Sequence, residues 1–183
     1  MTLRPIEPED LTLLYTIEND PDLWNSSSAS GPYSRYELKQ YVAQAQTAPL
    51  GNEARFVVQV DSSDGSESVR AIGLADLTNY SSLHARAEVG LALLKEERGL
   101  GFGKQAMQLL EQYAVDRLRI HLLYAFVLSQ NIPACKLFES AGYKIQTKLP
   151  DWHFCHGQYH EVTLFVKYFH TLGINGSADY SGG

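Results

Sequence analysis

Apolar residues in this chain follow two rhythms that alternate along its length, every second position and every third or fourth, which separates strands from helices before any composition is considered. Residues 2–6 read as a first strand. Leu11, Leu14, Tyr15 and Ile17 then recur at helical spacing behind Glu9 and Asp10, acids suited to a first turn, and Pro21 is expected to stop that helix. Residues 24–33 form a polar loop. Ser34 can cap a second helix running to about Ala45, with Glu37 in the reciprocal capping position. Phe56 to Val60 is strand-like, residues 61–68 form a turn rich in Ser, Asp and Gly, and strands are expected from Val69 to Asn79 and from Arg86 to Leu94. Met107, Leu110, Ala114 and Leu118 make the apolar stripe of a longer helix within 98–118. A strand at 121–128, a helix at 132–141 and strands near 143–148 and 158–168 complete the order. This mixture suits one α/β domain around a mixed sheet, spanning residues 1–170, with a disordered Gly- and Ser-rich tail at 171–183.

The junction between the fourth strand and the long helix carries the chemistry. Arg98-Gly99-Leu100-Gly101-Phe102-Gly103-Lys104 follows the apolar run Val89–Leu94 and opens the periodic segment. Glycines there permit a tight turn and leave no side chains over the amides. The first amides of a helix lack internal partners and lie at its positive end. With Arg98 and Lys104 nearby, the segment is built to hold a phosphate or diphosphate.

Two common phosphate loops do not fit. A dinucleotide fingerprint begun at Gly99 would need glycine where Lys104 stands. A Walker loop counted back from Gly103-Lys104 would need glycine at Arg98 and a hydroxyl at Gln105. The pattern R-x-x-G-x-G fits in full at Arg98, Gly101 and Gly103. It resembles the acyl-CoA diphosphate loop of the GNAT superfamily of N-acetyltransferases. Asn131-Ile-Pro-Ala-Cys-Lys-Leu-Phe-Glu-Ser-Ala-Gly-Tyr143 resembles the family's second hallmark, and its physics is legible without the family. Asn131 can cap a helix, Pro133 suits its first turn, and Gly142 can end it in the left-handed conformation. The stretches Leu3-Arg4-Pro5, Glu9-Asp10-Leu11, Asn19-Asp20, Ala87-Glu88-Val89-Gly90 and Gly157–Glu161 are most similar to the branch containing ribosomal-protein-alanine and diamine acetyltransferases.

The resemblance implies a single GNAT-like domain: a central mixed, mostly antiparallel, twisted sheet flanked by about four helices. It implies transfer of an acetyl group from acetyl-CoA to a primary amine, of a polyamine, another small amine or a protein N-terminus, by direct attack in a ternary complex. The backbone amides of Gly99, Leu100, Gly101, Phe102, Gly103 and Lys104, with Arg98, would take the diphosphate. Leu91 and Leu93 would line the strand edge along which pantetheine adds, and Asn131 would bond the pantetheine arm. Tyr33 and Tyr159 would face the acceptor, with Trp24, Tyr36 and Glu37 near it. A homodimer is in keeping with similar proteins.

A lysine-like amine has a pKa near ~10, so presenting it neutral at pH 7 costs roughly 4 kcal/mol. A base is therefore needed, and Glu88, on the strand that feeds the loop, is the candidate; the alternative is that it pairs with Arg86 or Arg70. The leaving thiolate has no evident acid. Many relatives carry tyrosine where Phe138 stands, and phenylalanine has no proton to give. Cys135, Ser129, Tyr124 and Tyr159 are the available substitutes, and an acetyl-cysteine route through Cys135 lacks an activating base. The Phe138 departure leaves a non-catalytic acyl-CoA-binding regulatory domain as the alternative function.

Bulk properties narrow the remainder. The 183 residues are 44% hydrophobic and 20% charged, an ordinary globular balance. A formal charge of −6 argues against a nucleic-acid partner. No stretch approaches the roughly 20 apolar residues of a membrane span. Cys135 and Cys155 are the only cysteines and the N-terminus lacks a signal-peptide core, so reduced thiols in the cytoplasm are expected. His153, Cys155, His156 and His160 lie close together, but their spacing matches no usual zinc arrangement, and no metal is expected.

Overall fold

The structure is a computed structural model and describes residues 1–24, 32–47, 51–61 and 69–169. The expected tail, part of the polar loop (25–31) and most of the turn at 61–68 lie outside the described residues. Among those described, β1 (Thr2–Pro5), β2 (Ala54–Asp61), β3 (Val69–Ser81), β4 (Arg86–Leu93), β5 (Leu122–Leu128), β6 (Lys144–Cys155) and β7 (Gln158–Tyr168) form one sheet in the order β1-β2-β3-β4-β5-β7-β6. Every neighbouring pair is antiparallel except β4 with β5. A parallel pair needs a crossover, and here the long helix α4 (Phe102–Leu118) provides it.

The sheet is covered on both faces, and β2 shows why. Successive strand residues point to opposite sides. Val57 enters a cluster with Leu14 and Ile17 of α1 (Leu11–Glu18) and with Leu38 and Val42 of α3 (Arg35–Thr47). Its neighbour Val58 enters the larger cluster on the other face, with Met107, Leu110 and Ala114 of α4. Phe138 of α5 (Ile132–Ser140) joins that second cluster. The capping box of α3 forms as the sequence predicts: the Glu37 amide donates to Ser34 Oγ at 3.1 Å, and the Ser34 amide donates to Glu37 Oε2 at 2.7 Å.

Two elements depart from the sequence reading. Pro21 opens a further single turn, α2 (Pro21–Trp24), rather than only ending α1. Asp20 Oδ1 accepts the Asp22 amide at 3.0 Å, and proline suits the first position because its missing N–H would have had no partner there. With this single turn there are five helices among the described residues, in keeping with the expected four or so. The second departure is β6, which runs to Cys155 instead of stopping near 148. Pro150 reads as a break, but β6 is an edge strand, and its register with β7 slips between Leu149 and His153 so that no ladder bond is asked of the proline. His156 (φ 50°) and Gly157 (φ 75°) then make a two-residue hairpin turn, with both residues left-handed. Residues 149–157, between the two expected strands, are thus the end of β6 and the turn of that hairpin.

Candidate active site

The site begins where the sheet opens. β4 and β5 pair only through Arg86↔Leu122, Ala87↔Leu123 and Glu88↔Tyr124, although β4 continues to Leu93 and β5 to Leu128. Beyond Glu88, the side of β4 that faces β5 has no strand partner among the described residues, while its other side stays bonded to β3. A free strand edge of this kind can bind an extended ligand by adding it to the sheet. Leu91 and Leu93 lie on this stretch. Their backbone borders the opening, but their side chains pack towards the α4 face, Leu93 buried and Leu91 half-buried.

The glycine loop closes one end of the opening. A single 3₁₀ turn, Lys95–Glu97, leads into it, and Gly99 (φ 78°) and Gly101 (φ 85°) both adopt the left-handed conformation that favours glycine. Gly101 is the N-cap of α4, and no side chain caps the helix. A Cβ built on either glycine would meet nothing within 4 Å, so the space before the first helical amides is open. At Gly103 a Cβ would lie 3.4 Å from Leu137, so glycine there lets α4 and α5 approach closely. Leu100 and Lys104 are exposed and Phe102 is partly buried against the core. A ligand diphosphate fits this cradle: bare amides, a helix N-terminus and an exposed lysine.

Arg98 also has partners within the fold. Its Nε donates to Leu93 O at 2.9 Å and its Nη2 to Asp20 Oδ2 at 3.1 Å, so its charge is engaged within the fold. It fastens the loop to the end of β4 and to the α1–α2 junction. Asn131 performs the capping role, accepting the Ala134 amide at 3.2 Å. Glu97 is buried beside Arg70, which removes Arg70 as a partner for Glu88.

On the α1–α3 face of the opening lies a cavity of about 530 Å³. Glu18, Glu37, Asp76 and Glu88 border it against a single guanidinium, Arg55, with Tyr33 and Tyr41 among its walls. Tyr33 is held there by Asn19: the Tyr33 amide donates to Asn19 Oδ1 at 2.8 Å, and Asn19 Nδ2 donates to Tyr33 O at 3.1 Å and Tyr15 O at 3.0 Å. Glu88 pairs with neither arginine named in the sequence reading. Asn79, in a left-handed conformation at an irregularity of β3, donates its Nδ2 to Glu88 Oε2 at 2.9 Å. Tyr124, the register partner of Glu88, has its phenol pushed up by burial and by the Glu88 charge, with Arg86 opposing.

Other candidates stand apart. Tyr159 is 65% exposed on the β6–β7 hairpin, its ring 5.0 Å from that of Phe154, and is not in the cavity lining. Tyr36 is exposed and accepts from Gln40 Nε2 at 3.0 Å. Phe138 is buried among Tyr143 and Phe165, with centroids at 5.1 and 5.5 Å. Burial pushes the Cys135 thiol up, which makes it a poorer nucleophile. Ser129 Oγ lies 2.7 Å from Thr163 Oγ1. Among the described residues no group of three or more His, Cys, Asp or Glu side chains is arranged to hold a metal ion, and no helix is long and apolar enough to cross a membrane. The sequence reading missed Arg55 altogether. A lone arginine at the head of an apolar strand offers no signal until β3 places Asp76 opposite it.

The chain is similar to known acetyltransferases. The acetyltransferase (GNAT) domain matches residues 1–144. Spermidine N(1)-acetyltransferase of Escherichia coli (strain K12) is 26% identical over 176 residues, covering 92% of this chain and 86% of that protein. The crystal structure of spermidine N-acetyltransferase from Vibrio cholerae in complex with CoA and spermine superposes with a TM-score of 0.79 at 24% identity, covering 91% of this chain and 94% of that one. A dodecameric structure of the Vibrio cholerae enzyme, in an intermediate state, gives 0.75 at 26% identity, with 91% and 92% covered. The chain belongs to the GNAT family and is an N-acetyltransferase whose co-substrate is acetyl-CoA.

Proposed function

We propose that this enzyme acetylates a terminal primary amine of a small aliphatic polyamine. The observation that carries the reading is the cavity beside the opened strand pair, where four carboxylates face one guanidinium between tyrosine walls. A flexible polycation is drawn to such a surface by charge and held by aromatic faces. The names of the relatives from Escherichia coli and Vibrio cholerae support the same acceptor class.

In this reading the amides of residues 99–104 hold the diphosphate of acetyl-CoA, with Lys104 adding charge. The backbone at Leu91 and Leu93 and the Asn131 amide receive the pantetheine arm. Glu88 takes the ammonium proton, directly or through a water, and Asn79 keeps the carboxylate oriented. The neutral nitrogen attacks the thioester carbonyl carbon, a β4 amide at the opening stabilises the oxyanion, and the C–S bond breaks to release CoA as a thiolate, which takes up the second proton lost by the nitrogen. Phe138 has no proton for the departing sulfur. Tyr124, beside Glu88, is the phenol at the opening. A homo-oligomer belongs to the same reading, on the strength of the dodecameric relative.

Release of CoA thiol, measured with spermidine, spermine, putrescine and a peptide with an N-terminal alanine, tests the acceptor. Turnover with the aliphatic amines and little with the peptide is expected. Turnover with the peptide and silence with the amines would refute the polyamine assignment.

A further inference from the structure

We infer that Arg55 determines acceptor length: it is a resident cation seated where the far ammonium of a long polyamine would bind, so the cavity favours shorter amines. The inference rests on the polyamine reading above and narrows it. Arg55 and Asp76 are register partners on β2 and β3, and Asp76 is the register partner of Gly90 on β4. The three form a row across the sheet at the cavity floor, with Glu88 two residues along β4 from Gly90. Arg55 Nε and Nη2 hold Asp76 Oδ1 and Oδ2 at 2.7 and 3.1 Å, and Nη1 holds Glu18 Oε1 at 2.6 Å. The Tyr41 ring lies beneath the guanidinium, 5.4 Å from centroid to Cζ. The arginine, aspartate and glutamate side chains are 25%, 17% and 15% exposed.

Two carboxylates and an aromatic face converge on one point, and they are the groups that recognise an alkylammonium. The chain's own guanidinium fills that point. One strand spacing and a two-residue step separate Asp76 from Glu88, about 8 Å between Cα positions, and a second spacing puts Arg55 about 12 Å away. An extended triamine spans that interval. With its reacting nitrogen at Glu88, its distal ammonium would meet Arg55 rather than an open pair of carboxylates. A short diamine leaves that end untouched.

The test compares kcat/KM for spermidine with kcat/KM for 1,3-diaminopropane. In Arg55→Met, which keeps an unbranched apolar stem but removes the guanidinium and its charge, the ratio is expected to rise about tenfold, the scale of one partly buried ion pair. In Glu18→Gln, which leaves the guanidinium facing one carboxylate, the ratio is expected to fall. An unchanged ratio in Arg55→Met overturns the inference. If that variant cannot be recovered folded, Glu18→Gln decides, and an unchanged or increased ratio there overturns it. A thermal-shift arm separates this inference from the acceptor assignment. Spermidine should raise the Tm of Arg55→Met more than that of the wild type, whether or not any amine is turned over. Equal shifts in the two proteins count against the resident-cation role.

Discussion

The glycine loop and the carboxylate-lined cavity lie on either side of one opened strand pair, and they are built in opposite ways. The loop is a contiguous run of seven residues whose function resides in backbone geometry: two left-handed glycines and an uncapped helix start. The cavity draws Glu18 from α1, Glu37 from α3, Arg55 from β2, Asp76 from β3 and Glu88 from β4. Its function resides in side-chain charges brought together by strand register. A site made of backbone tolerates drift in the sequence around it, provided the glycines remain. A site made of register-matched charges can change its ligand through one substitution without disturbing the fold.

This contrast can be broken at either end. The largest expected effect is at Glu88. Glu88→Gln preserves the Asn79 contact through its carbonyl but cannot take a proton, so kcat should fall by about 10²–10⁴, the usual worth of a general base, with KM for acetyl-CoA unchanged. Steady-state kinetics as a function of pH checks this, and an unaltered kcat–pH profile would remove Glu88 from proton transfer. A smaller effect of opposite character is expected at the loop. Gly101→Asp forces a side chain into a left-handed position and sets a negative charge before the helix amides. KM for acetyl-CoA should rise roughly ten- to a hundredfold, since each 1.4 kcal/mol is tenfold, while the acceptor KM stays put. If the two variants each moved both parameters, the division between backbone site and charge site would be wrong.

The same division explains what the sequence made legible. The loop, its helix and the Asn131 cap could be read directly, because contiguous residues determine their own local geometry. The alternation in β2 placed Val57 and Val58 on opposite faces, as the period of two requires. The cavity was read only in fragments: Glu88 from its place on β4, Tyr33 from the segment expected to close over the acceptor. Arg55 and Asp76 become partners only through the β2–β3 register, which lies in no local pattern. Arg98 was legible only as a positive charge beside a phosphate loop, and its tie to the fold was not. Its engagement with Leu93 and Asp20 depends on where α1 ends. The strand expected near 143–148 continues through Pro150 because a proline that would break a central strand is tolerated on an edge.

The smallest effect concerns the anchor beneath the cavity wall. Arg4 holds Asp10 bidentately at 2.6 and 2.7 Å, and the Glu7 amide donates to the same carboxylate at 2.9 Å. Asp10 immediately precedes α1, the helix that presents Glu18 and leads directly to Asn19 and Asp20. Burial by itself would raise the Asp10 carboxyl, but the Arg4 bonds and the Glu7 amide outweigh it and hold it below the ordinary value. A carboxylate depressed in the folded state stabilises the fold above its unfolded pKa of about 3.9, and that stabilisation is lost as pH falls through the lower folded value. Asp10→Asn should therefore cost about 1–2 kcal/mol at neutral pH, moderated because Arg4 is a third exposed and can turn to water. The cost should shrink below pH ~4, where the wild type loses the same contribution. Urea unfolding from pH 7 to pH 2.5 checks this as two stability curves that converge on the acid side. Because the anchor acts on α1 and not on α4, Asp10→Asn should also weaken acceptor binding more than acetyl-CoA binding. Equal losses for the two ligands would mean that the cavity wall and the loop respond to α1 as one unit, through the Arg98–Asp20 tie.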